Sequence, residues 1–261
     1  MHATVVLFPG SNADAEMVHT LRDVVQVRTS VAWHRDAELP AGTDLVAIPG
    51  GFSYGDYLRA GAIAQSSPIV AAIRRHAERG GLVLGVCNGF QILTEAKLLP
   101  GALTRNAHLR FECRDVFVAP RADGPFTSGL PPVLRLPIAH AEGRYQADPE
   151  TLRELADRRA IAFQYCDGQG RIAATPGDAG WAEANPNGSV LGIAGIYGGP
   201  ERNVLGLMPH PERMSEGFQS TPPVPRGAGA DGRALFEAAV RSAARSRHAA
   251  STAAASAAGR A

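Results

Sequence analysis

The chain has 261 residues, of which 45% are hydrophobic and 20% charged. These values are typical of a globular protein and fit one large α/β domain or two smaller ones. The formal net charge is only +1, so the overall charge gives no indication of binding to nucleic acid or to an anionic membrane surface.

Three cysteines, Cys87, Cys113 and Cys166, lie far apart in the sequence and never form a CxxC pair. This spacing indicates neither a disulfide framework nor a metal site. The first residues lack the basic start and long apolar run of a secretory signal. No apolar stretch approaches the length that a membrane-spanning helix needs. We therefore expect a cytoplasmic protein without a bound metal.

The first half of the chain alternates short apolar runs with amphipathic segments. We predict strands at Val5–Phe8, Val27–Trp33, Leu45–Ile48 and Leu82–Val86, with helical segments at about 14–25, Ile63–Arg79 and Asn88–Leu98. Strands that alternate with helices indicate a mainly parallel sheet covered by helices on both faces.

The second half has a different pattern, in which short apolar runs are separated by Pro- and Gly-containing turns. Strands are predicted at Arg114–Ala119, Val133–Ala139, Ala160–Tyr165, Ile172–Ala174, Leu191–Ile196 and Val204–Met208. The early members of this set indicate an added β layer or a small antiparallel extension of the sheet. A Pro- and Gly-rich loop at 217–232 precedes a last predicted helix, Arg233–Arg241.

From Ser242 onward the composition is almost entirely Ala, Ser and Arg, without a large apolar residue. Such a segment has little apolar surface to bury, which favours disorder. We therefore predict one domain over residues 1–241 and a disordered tail over 242–261.

The segment around Cys87 is the most informative part of the sequence. A strand leads into Cys87, a helix follows at once, and Gly85 and Gly89 stand two places before and after it. This is the layout of a nucleophile elbow with cysteine in place of serine. At a helix N-terminus, free N–H groups and the helix dipole favour a thiolate and can stabilise an oxyanion. The pattern alone fits a buried structural cysteine about equally well.

A histidine and a glutamate follow the last predicted strand, in Met208-Pro209-His210-Pro211-Glu212. The prolines favour an extended backbone, in which residues two apart point the same way. The Glu212 carboxylate could then hold one imidazole nitrogen of His210 while the other faces a nucleophile. A surface histidine in a proline-rich turn is the alternative. Among the other histidines only His140 has a notable setting, and there a structural role is slightly favoured.

A glycine-rich loop follows the third predicted strand, in Pro49-Gly50-Gly51-Phe52. A loop with so few side chains can direct backbone N–H groups at a substrate oxygen. An ordinary glycine-rich turn is the alternative.

Together these segments resemble the class I, or triad, glutamine amidotransferases. A narrower resemblance is to the glutaminase subunits of the purine-pathway enzyme that converts formylglycinamide ribonucleotide to its amidine. It is carried by the blocks FPGSN at 8–12, GGFSYGDYLRAGAIA at 50–64, CNGFQ at 87–91, RNAHLRFECR at 105–114, PIAHAEGRY at 137–145, NPNGS at 185–189 and NVLGLMPHPER at 203–213.

The resemblance implies a flavodoxin-like α/β amidotransferase domain and a set of site residues. The catalytic triad would be Cys87, His210 and Glu212. The oxyanion hole would use the backbone around Gly51 and Phe52 and at Asn88. The implied residues near bound glutamine are Gln91, Arg110 and Phe111.

The resemblance also implies the reaction and the partners. Glutamine would be hydrolysed through a cysteine thioester, and the ammonia would pass to a large synthetase subunit that uses ATP and Mg²⁺. A small bridging subunit is implied as well. The chain has no GxxxxGK[ST] phosphate loop, so we expect no cofactor on this chain and ATP chemistry elsewhere.

Three alternatives remain open from the sequence. The first is another hydrolase on the same scaffold, such as a cysteine peptidase or deglycase, although such proteins usually have histidine after the cysteine, where this chain has Asn88. The second is a non-catalytic regulatory subunit with a degenerate site. The third is an amidotransferase for a different acceptor.

Overall fold

The computed structural model describes residues 1–172, 176–177, 180–219 and 229–258, with side chains through Arg245 except that of Ala182. Its centre is a nine-stranded sheet with strand order β2-β1-β3-β4-β11-β10-β9-β6-β7, and β5 and β8 form a separate two-stranded sheet.

The strands are β1 (His2–Leu7), β2 (Arg28–Trp33), β3 (Leu45–Ile48), β4 (Leu82–Val86), β5 (Ala102–Thr104), β6 (Glu112–Pro120), β7 (Leu134–His140), β8 (Arg144–Gln146), β9 (Ile161–Cys166), β10 (Ile193–Gly198) and β11 (Val204–Leu207). The α-helices are α1 (Asp14–His19), α2 (Pro68–Glu78), α3 (Asn88–Glu95), α4 (Pro149–Asp157), α5 (Trp181–Ala184) and α6 (Asp231–Ala258). A π-helical turn, Thr20–Val24, continues α1.

One half of the large sheet is parallel. Here β1 pairs with β2 and β3, and β4 pairs with β3 and β11, all in parallel. Every residue of β3, β4 and β11 is buried, as expected for parallel strands that are covered on both faces. Their runs of Val, Leu and Ile supply the core without the polar alternation of a half-exposed strand.

Helices cover this parallel half on both faces. The chain moves to one side of β1 through α1 to reach β2, and to the opposite side of β3 through α2 to reach β4. Because crossover connections between parallel strands are right-handed, α1 and α2 lie on opposite faces of the sheet. The predicted fold class, a mainly parallel sheet with helices on both faces and an antiparallel extension, is confirmed.

The other half of the sheet is antiparallel. Strands β11, β10, β9, β6 and β7 follow one another with antiparallel pairing at each step. The two-stranded sheet of β5 and β8 is also antiparallel. The predicted extension therefore consists of these added strands, and β7 forms its outer edge.

Several elements differ from the prediction, which lacks β5, β8 and α5 and gives different bounds or no element for α6 and α4. Helix α4 has a clear start signal that the sequence analysis did not use, because Asp148 caps it by accepting a hydrogen bond from the Thr151 N–H and Pro149 occupies its first turn. Helix α6 continues past Ser242 to Ala258. Alanine has the highest helix propensity, so a composition that suggests disorder also suits a helix.

The predicted strand at Ile172–Ala174 and the loop at 217–232 lie largely outside the described residues. The division into a domain at 1–241 and a tail at 242–261 stays a prediction. No helix in the described part of the chain is long and apolar enough to cross a membrane.

Helix α6 packs directly against the turn that carries Glu212. A Cβ on Gly232, in the first turn of α6, would overlap the backbone carbonyl of Pro211. Only glycine allows this close approach of a helix to the 3-10 turn Pro211–Met214. The position of this turn is therefore tied to the position of α6.

Candidate active site

Cys87 lies in a strained turn between β4 and α3. It is the N-cap residue of α3, with φ 51° and ψ −105°, a backbone conformation that costs energy in a non-glycine residue and is often found at functional sites. The turn is tight because α3 packs against the end of β3, where a Cβ on Gly89 would overlap the Ile48 carbonyl. The predicted nucleophile-elbow geometry is present at Cys87.

His210 and Glu212 form a buried pair. His210 Nδ1 lies 2.6 Å from Glu212 Oε1, and the two side chains are 3% and 0% exposed. The backbone that joins them is not fully extended as predicted, because Pro211 begins a 3-10 turn while His210 keeps an extended conformation. The turn still places the carboxylate against the imidazole.

The strand end and the turn bring both Cys87 and His210 close to Gly50. A Cβ built on Gly50 would lie 2.5 Å from His210 Cε1 and 3.4 Å from the Cys87 Cβ. The cysteine, the histidine and the glycine-rich loop therefore meet at the carboxyl edge of β3, β4 and β11. The carboxyl ends of parallel strands are the common location for sites in open α/β sheets.

The charge on His210 is set by its neighbours. Burial lowers the pKa of His210, but the Glu212 carboxylate and Cys87 outweigh that effect and raise it to about 10. These neighbours therefore favour the imidazolium form of His210. An imidazolium beside a cysteine favours the thiolate, the form that acts as nucleophile.

Hydrogen bonds fix the backbone of the histidine–glutamate pair. The His210 N–H donates to the Pro137 carbonyl, and the hydroxyls of Thr20 and Ser215 donate to the Glu212 carbonyl. Thr20 begins the π-helical turn after α1. The pair is thus held between α1 and β7.

The glycine-rich loop does not present all the N–H groups that the sequence predicts for an oxyanion hole. The Phe52 N–H donates to the Gly10 carbonyl at 2.9 Å, and so already has a partner. The Asn88 N–H is in the first turn of α3, where N–H groups have no partner within the helix. The Asn88 side chain accepts from the Ser53 N–H at 3.0 Å, which links α3 to the glycine-rich loop.

The predicted glutamine-binding residues fall into two groups. Gln91 is buried, and its amide donates to the Glu142 carbonyl and accepts from Asn88 Nδ2. Arg110 and Phe111 are exposed at the end of a loop before β6. Among the described contacts, neither of these two residues touches the triad. Gln91 is thus placed beside the elbow, and the other two lie on an exposed loop.

A half-buried carboxylate, that of Asp56, also lies beside Asn88. Asp56 Oδ1 is 3.4 Å from Asn88 Nδ2, and burial together with the charge of Glu142 raises the pKa of Asp56 to about 6. The part of the chain that the structure describes contains no cluster of three or more His, Cys, Asp or Glu residues that could hold a metal ion.

A buried polar network around His140 and Gly143 has no role among the predictions from sequence. Its members are Asn106, His140, Asn185, Asn187 and Ser189. They come from the blocks RNAH, PIAH and NPNGS, which contribute to the resemblance. Three asparagines in such short blocks could have indicated a buried hydrogen-bond network.

Known proteins share this fold and sequence. The family model for the CobB/CobQ-like glutamine amidotransferase domain matches residues 1–242. The chain also resembles glutamine amidotransferase tm1158 from Thermotoga maritima with a TM-score of 0.54 and 18% identity, covering 81% of this chain and 76% of that one. At that identity the similarity concerns the fold alone. Fold, site and family model together define a glutamine amidotransferase.

Relatives with higher sequence identity show which family of glutamine amidotransferases the chain belongs to. Two are subunits PurQ of phosphoribosylformylglycinamidine synthase, from Rhodospirillum rubrum (51% identity, 93% of this chain and 99% of the relative) and Cereibacter sphaeroides (52%, 91% and 96%). The structure of PurLQS from Thermotoga maritima matches with a TM-score of 0.73 and 35% identity, covering 92% of this chain and 97% of that one. The chain belongs to the PurQ family, the glutaminase subunits of phosphoribosylformylglycinamidine synthase. The resemblance predicted from the sequence is confirmed.

Proposed function

We propose that Cys87, His210 and Glu212 hydrolyse glutamine to glutamate and ammonia, and that the ammonia converts formylglycinamide ribonucleotide to its amidine on a synthetase subunit. The observation that carries the proposal is the meeting of a cysteine in a strained strand–helix turn with a buried histidine–glutamate pair. Membership of the PurQ family supports the choice of acceptor.

In the first half of the reaction the Cys87 thiolate attacks the side-chain carboxamide carbon of glutamine. The negative charge that develops on the carbonyl oxygen is stabilised by N–H groups in the first turn of α3. The His210 imidazolium, held by Glu212, gives its proton to the leaving nitrogen as the C–N bond breaks. Ammonia and a γ-glutamyl thioester on Cys87 result.

In the second half His210 is neutral and acts as a base. It takes a proton from water, the hydroxide attacks the thioester carbon, and the C–S bond breaks to release glutamate and the Cys87 thiolate. Glu212 keeps the imidazole in one orientation through both halves.

The oxyanion hole would combine the Asn88 N–H with the peptide between Gly51 and Phe52. For Phe52 to contribute, its N–H must first leave the Gly10 carbonyl. The residues that follow include Tyr54, Asp56 and Leu58, all with positive φ, so this loop holds strained backbone that a change of conformation can release. We assign this change to the complex with the synthetase subunit.

Glutamine would lie against Gln91, with Arg110 and Phe111 at the rim. The buried amide of Gln91 holds the Glu142 carbonyl and Asn88, so it shapes the wall of the site. Arg110 carries a positive charge suited to the α-carboxylate of the substrate.

The surface around the site fits a protein partner. Large apolar side chains are exposed on two loops, namely Phe52, Tyr57, Leu58, Leu109 and Phe111. Glu142 connects these loops, because its carboxylate accepts from the Ala60 N–H and pairs with Arg105. Exposed apolar clusters mark interaction sites. We assign this rim to the large synthetase subunit, which would use ATP and Mg²⁺, and expect a small bridging subunit in the same complex.

The described cysteines are all free, which fits a reducing compartment and supports the proposed cytoplasmic location.

The test is glutamate release from glutamine by the wild type and by Cys87→Ala, with and without the synthetase subunit, ATP and acceptor. Cys113→Ala is a matched control, because Cys113 is exposed on β6. Loss of activity in Cys87→Ala only, together with loss of labelling by an electrophilic glutamine analogue, is expected. Full activity of Cys87→Ala would overturn the proposal.

A further inference from the structure

His140 is buried at the end of β7, next to the proposed reaction centre. The carbonyl of the preceding residue, Ala139, lies 3.8 Å from the Cys87 Sγ, and the carbonyl of Pro137 accepts from the His210 N–H. The charge of His210 also acts on the His140 ring. The outer edge of β7 therefore runs alongside both Cys87 and His210, and His140 is its last residue.

Asn106 determines which nitrogen of His140 carries the proton. The Asn106 side-chain nitrogen donates to the carbonyls of Arg110 and His140, both at 2.9 Å. These two bonds fix the orientation of the amide, and its oxygen accepts from the Gly143 N–H at 3.1 Å. That same oxygen lies 3.1 Å from His140 Nδ1. Because an amide oxygen only accepts, Nδ1 must be the protonated nitrogen.

The other ring nitrogen is then a hydrogen-bond acceptor. Burial and the charge of His210 lower the pKa of His140 to about 3, so the ring stays neutral and Nε2 keeps its lone pair. Nε2 is buried and has no hydrogen-bond partner among the residues that the structure describes. A buried acceptor without a partner costs free energy, so such an atom in a site calls for a ligand.

We infer that His140 Nε2 accepts a hydrogen bond from the carboxamide nitrogen of glutamine and then from the ammonia that leaves. The inference rests on the proposed function. Of the donors on glutamine, the charged α-ammonium group is disfavoured near the His210 imidazolium, whereas the carboxamide is neutral. When one N–H of the carboxamide is held by His140, the nitrogen lone pair can face His210 and take its proton. The C–N bond then breaks, and ammonia departs with one N–H still on His140.

The inferred contact makes a prediction that depends on the leaving group. The γ-methyl ester of glutamate acylates Cys87 through the same carbonyl carbon, but its leaving methoxide has no N–H to donate. Both substrates give the same thioester, so kcat/KM compares the two acylation steps. Loss of the acceptor should slow the amide and spare the ester.

The experiment compares wild type, His140→Leu and His140→Gln in the complex with the synthetase subunit. His140→Leu removes the acceptor, and His140→Gln restores an acceptor oxygen of similar reach. In His140→Leu we expect kcat/KM for glutamine to fall about tenfold or more and kcat/KM for the ester to change less than about threefold. In His140→Gln the ratio of the two values should return toward that of the wild type.

Equal losses on both substrates in both variants would overturn the inference and give His140 a structural role only. An unchanged ratio with full activity would overturn it too. If His140→Leu does not fold, His140→Asn takes its place, because its shorter side chain cannot reach the Nε2 position. The ratio of kcat/KM for glutamine to kcat/KM for the ester is then compared between His140→Asn and His140→Gln. Hydrolysis of neither substrate by the wild type in the complex would instead overturn the proposed function.

Discussion

The two halves of the large sheet contribute to the site in different ways. The parallel half supplies the reactive groups, because Cys87 follows β4, Gly50 follows β3 and His210 follows β11. The antiparallel half supplies backbone carbonyls and the neutral polar network, through Pro137, Ala139 and His140 on β7. The reactive side chains thus come from one half, and groups that shape and line their surroundings, His140 among them, come from the other. Apart from His140, substitutions in the two halves should therefore separate activity from stability.

The largest expected effect is at the elbow of the parallel half. Cys87→Ser keeps the size of the side chain but replaces the thiolate with a hydroxyl, and we expect glutaminase kcat/KM to fall at least about a thousandfold. The thermal midpoint should stay close to that of the wild type. Steady-state glutamate release and a melting curve on the same preparation measure both quantities. A large drop in the midpoint would show that the elbow is also a major part of the core.

The second-largest loss of activity is expected for Glu212→Gln. A shift in the pH dependence of kcat/KM should show that this loss acts through His210. The folded-state pKa of His210 is raised to about 10 by Glu212 and Cys87, so a step that needs the imidazolium loses rate only as pH rises through that value. Removal of the carboxylate lowers the pKa of His210, and we expect the alkaline limb of kcat/KM to move to lower pH by about one unit or more. An alkaline limb that does not move would contradict the assigned role of Glu212.

The apolar rim tests the link between the site and its partner. Leu58 is 88% exposed, so Leu58→Asp should leave the fold intact. We expect weaker binding to the synthetase subunit by about tenfold, measured by titration of glutamate release. Val31→Asp is a matched control, since Val31 is also exposed but lies on β2 at the far edge of the sheet. Equal weakening by both substitutions would argue against the rim as the docking surface.

Substitution of Asn187 should lower the stability of the protein before it lowers activity. It is fully buried and bonds the Gly143 carbonyl and the Ser189 hydroxyl. Asn187→Ala leaves these groups without partners, and we expect the free energy of unfolding to fall by roughly 2 kcal/mol. Chemical denaturation measures the change. Activity that falls before stability does would place Asn187 itself in the chemistry, beyond the inferred contact of His140.

The smallest effect is expected at an exposed ion pair of the antiparallel half. Arg171 Nε and Asp167 Oδ2 lie 2.6 Å apart at the surface. Surface pairs contribute about 0–1 kcal/mol, so Arg171→Ala should change the unfolding free energy by less than about 1 kcal/mol in the same denaturation experiment. A larger loss would mean that the turn after β9 contributes more to the antiparallel half than its exposure suggests.

The parallel half could be predicted because short, continuous stretches of sequence specify its strands, turns and helices. Buried runs such as Leu82–Val86 and the glycines around Cys87 specify a strand, a tight turn and a helix within ten residues. The pairing of His210 with Glu212 was also predicted, although the 3-10 turn that achieves it was not. Short sequence patterns thus predicted which residues form the site more reliably than they predicted the backbone conformation between those residues.

The antiparallel half was less predictable because its contacts join distant segments. The bond between Asn106 and His140 spans 34 residues, and that between Asn187 and Gly143 spans 44. No periodic pattern indicates such pairs. The hydrogen bond of the Phe52 N–H to the Gly10 carbonyl could not be predicted for the same reason, because it depends on how two separate loops meet.

The contact between Gly232 and Pro211 has a consequence for the order of events during synthesis. The ribosome makes Cys87 long before His210 and Glu212, and makes the first turn of α6 later still. Because α6 packs on the turn that carries Glu212, this turn lacks one of its packing partners in a nascent chain until α6 has emerged and folded.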